Sequence, residues 1–231
     1  MSGIIPSLEQ IDELHRKIAP SEAAYELIHT HCVIVATIAC QLVRRQNALF
    51  TRRCQPGDAE DSGGVVGGTV PPRLLDEHMA MIGGLLHDIG TYRVLKHDGS
   101  DGEPLKFSGK RYILHGLLGY EYLLGEGIDE SVAEFARNHT GVGLTRAQVE
   151  AQGLPLPPAD YVPVTLEQET VMVADKYHSK SVPPKFVSVD AYTARAARFG
   201  EENRRRWLEL VERYGRPDIA ALAERYHMRM I

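Results

Sequence analysis

The chain lacks a basic excess, a cysteine framework and any long apolar run, and each lack removes a class of function. Its 26 Lys and Arg stand against 31 Asp and Glu, a net charge of −5. That balance gives no general field for a polyanion and disfavours duplex nucleic acid as a ligand. Local basic groups can still hold a small phosphate. Cys32, Cys40 and Cys54 are odd in number and show no metal-knuckle spacing. They argue against a disulfide framework or a zinc ribbon and for a reducing compartment. No stretch reaches the ~18 apolar residues of a membrane span, and Met1–Ser7 shows no basic region leading into an apolar core. The expectation is a soluble, unprocessed, cytoplasmic protein with no membrane partner. The sequence also lacks internal repeats and any convincing alternation of apolar and polar residues, so strands are not expected.

What is present is helical periodicity with capping signals. Ser7 to Gln10 fits a capping box that opens a helix to about Ile18, ended by Pro20. Ser21 can cap a longer helix to about Arg45, with Tyr25, Ile28, Cys32, Val35 and Ala39 as its stripe. Cys32–Cys40 is apolar nearly all round, as in a central buried helix. The glycine- and proline-rich stretch 47–70 reads as an exposed, mobile insertion. Helices are then expected over Pro72–Ile89, Ile113–Leu124, from Asp129 to His139, after the capping boxes at Thr145 and Thr165, over Ala191–Phe199 behind Asp190, and in two terminal segments. The whole chain, 1–231, is expected to be one all-α domain. Its core would span about 21–180, with C-terminal helices over 190–231.

Met81–Gly90 is the stretch around which the rest is arranged. His87 and Asp88 are adjacent there, among Ile82, Leu85, Leu86 and Ile89 at the i, i+3, i+4, i+7 spacing of a buried face. A buried imidazole beside a buried carboxylate is costly unless both are paired, and a divalent cation can pair with both. Gly83 and Gly84 leave room on the preceding turn for an ion and a facing helix, and Gly90 supplies a helix stop. Taken alone, such a pair is more often a salt-bridged or capping pair at a helix end. Other polar residues that end or interrupt apolar faces are His31, His115, His139 and Asp175. Four imidazoles and two carboxylates suit two divalent ions held inside a helical bundle.

The order His31, His87-Asp88, His115, His139, Asp175 resembles that of the HD superfamily of metal-dependent phosphohydrolases. The phrases around His31–Ala36, Gly84–Gly90, His115–Gly119, Asn138–Gly141 and Val173–Lys176 carry the resemblance over about 23–180. It implies an HD-domain helical bundle with a dinuclear site in its core. His31, His87, Asp88 and Asp175 would hold one ion, and His115 and His139 the second, with Asp88 bridging. His29 competes with His31 for the first-helix position. His178 shares the Asp175 face as a neighbour of the site or as core packing, and His97 reads as solvated.

Many relatives carry a lysine just after the signature, where this chain has Thr91. Arg93, Lys96 or Lys176 could act there, with Arg93 leading because guanidinium suits bidentate phosphate contact. The resemblance implies hydrolysis of a phosphoester or phosphoanhydride of a small, nucleotide-like molecule by metal-activated hydroxide, with Asp88, Arg93 and Lys96 as catalytic residues. Two divalent ions are expected, iron or manganese before magnesium, nickel, cobalt or zinc. The same ligand order also serves di-iron oxygenases of the superfamily, and a non-catalytic, metal-stabilised nucleotide-binding protein is the third reading. A homodimer is compatible with the sequence, which leaves the oligomeric state open.

Overall fold

The first helix starts where its capping box requires: the Ser7 hydroxyl accepts from the Gln10 amide while Gln10 Oε1 accepts from the Ser7 N–H. The structure, a computed structural model, describes residues 3–58 and 63–231. Helix α1 spans Leu8–Ile18, and α2, capped by Ser21, spans Glu22–Phe50. Helix α2 is long and apolar enough to cross a membrane. Its apolarity has another cause here, because Ile28, Cys32, Ile34, Val35, Ile38, Leu42 and Val43 are all wholly buried in the core.

Helix α3 spans Glu77–Leu86, shorter than expected, with Asp76 accepting from the Met79 amide as its N-cap. It lies against α2 at Gly84, where a Cβ would come within 2.6 Å of Ala36 Cα. At Gly83 a Cβ would meet the Phe135 ring at 2.1 Å. The two glycines therefore make room for a neighbouring helix and a phenyl ring, and the ion expected over them has no space there. His87 ends the helix, and a 3-10 turn over Ile89–Val94 continues through Gly90, which is not a stop.

Helices α4 (His115–Gly125), α5 (Glu130–Arg137), α6 (Arg146–Ala151) and α7 (Leu166–Asp175) follow, and then α8 (Val189–Ala197), α9 (Glu201–Tyr214) and α10 (Ile219–Arg225). Asp129, Thr145 and Thr165 cap α5, α6 and α7 as their sequences indicate. Helix α8 is capped by Ser188, not Asp190. Trp207 and Tyr214 of α9 are buried in the cluster that α2, α7 and α8 share. Among the described residues, three two-stranded antiparallel ladders interrupt the helices: β1 (Val65–Val66) with β6 (Arg216–Pro217), β2 (Leu95–His97) with β3 (Lys106–Phe107), and β4 (His178–Ser179) with β5 (Lys185–Phe186). Strands of two or three residues are too short to show alternation, so none was legible, and the class remains all-α.

The expectation of a mobile insertion over 47–70 is corrected for its described part. Residues 47–50 belong to α2, and β1 is paired with the C-terminal region. Arg45 is wholly buried and donates to the carbonyls of Gln55, Pro56, Asp58 and Gly67. A guanidinium carries five donors, so one side chain inside α2 fastens the loop. Residues 59–62 lie outside the described residues.

His15 links α1 to the signature region. Its Nε2 is 2.8 Å from the Leu85 carbonyl, which can only accept, and its Nδ1 is 3.0 Å from the Tyr92 hydroxyl. Burial lowers its pKa from 6.5 to about 4. The unfolded chain takes up this proton below pH 6.5 and the folded chain does not until about pH 4. Stability present above 6.5 is therefore lost as pH falls through that window, by up to about 3 kcal/mol. In urea melts between pH 7 and 4.5, His15→Gln should lose less stability than the wild type. Parallel losses would overturn this account.

Candidate metal centre

Each candidate ligand but one stands at a helix end. His31 projects from the middle of α2, His87 and Asp88 lie at the junction of α3 with the 3-10 turn, and His115 begins α4. His139 follows α5, and Asp175 is the last residue of α7. The sequence-expected six converge: His31, His87, Asp88 and Asp175 form one group and Asp88, His115 and His139 a second, their ligand atoms within 4.8 Å of one another in each. Asp88 faces both. Its Oδ2 is 3.0 Å from His31 Nε2, and its Oδ1 is 3.5 Å from the Nε2 atoms of His115 and His139. Asp175 Oδ1 is 3.1 Å from His31 Nε2 and 3.5 Å from His87 Nε2.

The protons on these rings can be placed from their partners. His87, His115 and His139 each turn Nδ1 to a backbone carbonyl, of Gly84, Tyr112 and Ala136, at 2.7, 2.6 and 2.8 Å. A carbonyl only accepts, so Nδ1 carries the hydrogen and Nε2 is the atom turned to the centre. The Nε2 atoms of His115 and His139 are 3.0 Å apart, and those of His31 and His87 3.2 Å. Burial lowers the pKa of both His115, to about 3, and His139, the first opposed by the Asp88 charge. With the rings neutral, two Nε2 lone pairs and a carboxylate oxygen converge on one point. A divalent cation satisfies such a set, so the residues fit divalent ions by their chemistry.

His178 orients His31. The two Nδ1 atoms are 2.8 Å apart, and His178 Nε2 lies 3.3 Å from Met228 Sδ. Burial, with His31 and Lys180 adding to it, lowers the His178 pKa to about 2. A neutral His178 can accept from His31 Nδ1–H, which turns His31 Nε2 toward Asp88 and Asp175. His29 does not join the cluster: it stacks on Tyr25 at 4.8 Å, 3.9 Å from Asp12. His97 pairs with Asp101 at 2.8 Å in the polar loop.

The basic residues require correction. Arg93 is exposed and sits over the Tyr122 ring at 5.1 Å, because the 3-10 turn carries it to the outside. Lys96 is exposed on β2. The ammonium at the centre belongs instead to Lys180, buried, bonded to Asp88 Oδ2 and 5.5 Å from the Tyr112 ring centroid. Thr91 donates to the other oxygen of Asp88 at 2.8 Å. Lys176 is tied to Asp175 Oδ2 and to the His139 carbonyl. Burial alone would raise the Asp88 pKa, but Lys180 and then His87 outweigh it and hold the carboxyl well below the usual range. Burial likewise opposes, and Lys176, His31 and His87 prevail, for Asp175. Both ligands are ionised. Lys180 left only a faint signal in the sequence, a lysine five residues past Asp175, brought inward by the β4–β5 ladder.

A cavity of about 500 Å³ opens on this centre. His115, His139, Asp175 and Lys180 form its floor, and Tyr112, Leu144, Gln148, Tyr192, Arg195 and Phe199 are among its walls.

The HD domain family model matches residues 28–180, about two thirds of the chain and all six candidate ligands. The chain belongs to the HD domain family. Among curated proteins, this HD domain chain is 40% identical to an uncharacterized protein of Methanocaldococcus jannaschii over 101 residues, 44% of this chain and 49% of that one. It is 35% identical to a tRNA (cytidine(56)-2'-O)-methyltransferase of Picrophilus torridus over 100 residues, 43% of this chain and 24% of the other. It thus spans about half the length of the first and a quarter of the second. Among solved structures, the HD domain of the L. monocytogenes phosphodiesterase PgpH in complex with cyclic-di-AMP is 13% identical, with 96% of this chain and 99% of the other covered at a TM-score of 0.45. A second structure of that domain is 15% identical, with 94% and 99% covered and a TM-score of 0.46.

Proposed function

We propose that this HD domain protein is a metal-dependent phosphohydrolase that cleaves a phosphoester or phosphoanhydride of a compact, nucleotide-like molecule. The observation that carries the reading is the convergence of Nε2 atoms, 3.0 Å apart in His115 and His139 and 3.2 Å apart in His31 and His87, around the shared carboxylate of Asp88. His31, His87, Asp88 and Asp175 would hold one ion, and Asp88, His115 and His139 the other. When bound, such ions polarise phosphoryl oxygens and bring the pKa of a water near ~7, so turnover should rise between about pH 6 and 8.

The chain's own residues do the rest. Lys180 holds a permanent positive charge at the cavity floor, where charge develops on phosphoryl oxygens. The His178–His31 bond and the three carbonyl-bound imidazoles fix ring orientation in advance, so the ligands need no reorganisation. Tyr112 and Leu144 screen the floor from bulk water, and the cavity has the volume for a substrate body well beyond one phosphoryl group. The three cysteines are free and buried, which supports a reducing, cytoplasmic setting.

Elemental analysis of reconstituted protein should find about two ions per chain, iron or manganese before zinc, given a donor set of nitrogen and oxygen without sulfur. Phosphate release from a panel of phosphoesters, measured under nitrogen and in air, should not depend on oxygen. Absence of metal would end the reading. Oxygen uptake without phosphate release would move it to the oxygenase chemistry of the superfamily.

A further inference from the structure

Tyr192, Arg195, Ala196 and Phe199 line the cavity at the spacing i, i+3, i+4, i+7. They form one stripe along α8 and the residues just past its end. Tyr192 and Ala196 are buried, as such a stripe ordinarily is. Packing does not explain the other two. Phe199 keeps 65% of its surface exposed, and Arg195 puts a guanidinium where an apolar side chain would continue the stripe.

The charges in the cavity sharpen the point. Its cationic side chains are Lys176, Lys180 and Arg195. Lys176 is bonded to Asp175 and Lys180 to Asp88, so both are committed to the carboxylates of the metal centre. Among the described residues, the Arg195 side chain has no ion pair or hydrogen bond. It stands on α8, beyond the matched HD domain residues 28–180, on the wall and not on the floor. A guanidinium with five free donors beside a site for one phosphoryl group matches a second one, because its fork fits phosphate oxygens bidentately.

We propose that Arg195 reads a second phosphoryl group of the substrate, separate from the one cleaved, so that the preferred substrates are compact phosphate compounds with two phosphoryl groups. This rests on the phosphohydrolase reading above. The second group could be reached as an anhydride or as an ester elsewhere on the molecule, and Gln148 and Asn203 on the neighbouring wall would hydrogen-bond the body between the two.

The test uses the full chain, metal-reconstituted, as wild type, Arg195→Ala and Arg195→Lys. The probes are AMP, ADP and adenosine 3',5'-bisphosphate, which share a nucleoside and differ in the second phosphoryl group. Turnover and calorimetric binding are both recorded. We expect the wild type to favour ADP or the bisphosphate over AMP by about tenfold or more in kcat/KM, a charge-assisted bidentate contact being of that size. Arg195→Ala should raise KM for the favoured compound about tenfold with kcat little changed, Arg195→Lys should recover part of the loss, and the loss on AMP should be at least about fivefold smaller. Which compound is favoured tells the anhydride from the ester. No preference in the wild type, or equal losses on all three, overturns the proposal. If neither these compounds nor a simple phosphomonoester is hydrolysed, the phosphohydrolase reading fails. Calorimetry then still decides Arg195: selective weakening of the two-phosphoryl compound in Arg195→Ala sustains its role, and equal or absent binding removes it.

Discussion

Replacing Asp88 by asparagine is expected to abolish turnover, by about 10³-fold or more, and to lower metal content from two ions per chain to one or fewer. Among the described residues, Asp88 alone belongs to both ligand groups. Its neutral amide can neither balance the charge of two cations nor offer two anionic oxygens to them. Metal contributions of several kcal/mol to the transition state correspond to a loss of that size. The same change leaves the buried Lys180 ammonium without its carboxylate, and breaking a buried pair costs about 3–5 kcal/mol. The two effects separate in a double variant. Asp88→Asn with Lys180→Met should regain much of the lost melting temperature while remaining inactive and metal-poor. Circular dichroism of all variants guards against simple unfolding. Full activity in Asp88→Asn, or metal retained at two per chain, would remove Asp88 from the centre.

Gly90→Ala should destabilise the fold by more than about 3 kcal/mol, at or beyond the upper end of what one added methyl does in a packed core. A Cβ there would lie 2.1 Å from the His115 carbonyl oxygen and 2.3 Å from the Gly119 amide nitrogen. Both are backbone atoms of α4, which cannot swing aside as a flexible side chain would, so the whole first turn of the helix must retreat. His115 is on that turn. Metal at the second position should therefore be lost together with stability, whereas Gly125→Ala, which has nothing within 4 Å, should be mild. Thermal melts and elemental analysis of the two variants make the comparison. Equal stability would mean that the packing of the 3-10 turn on α4 is looser than the structure has it.

Gly90 also shows where local reading misleads. Its position after a buried pair suggested a helix stop, yet its φ is unexceptional and its role is close approach to α4. Arg93 and Lys96 misled in the same way. Nearness to the signature in sequence is not nearness in space once a 3-10 turn intervenes, and three residues on Arg93 already lies over Tyr122 at the surface. Lys180 was passed over because a two-residue strand leaves no periodicity to read. The segment after α2 looked unstructured because what holds it is Arg45 below it and β6 far along the chain, neither of which its own composition can reveal.

The sequence by itself determined the helical class, the capped starts of α1, α2, α5, α6 and α7, and, apart from the choice between His29 and His31, the residues of the candidate centre. Capping is a contact over three residues, and a histidine or carboxylate on an apolar face contradicts its surroundings, so both are written locally. Only the tertiary structure decided that His31 and not His29 joins the cluster, that the ammonium at the centre comes from Lys180, and that α8 turns Arg195 to the cavity. Each of these depends on the direction of one helix or ladder relative to another, and that direction is set by packing across the whole chain.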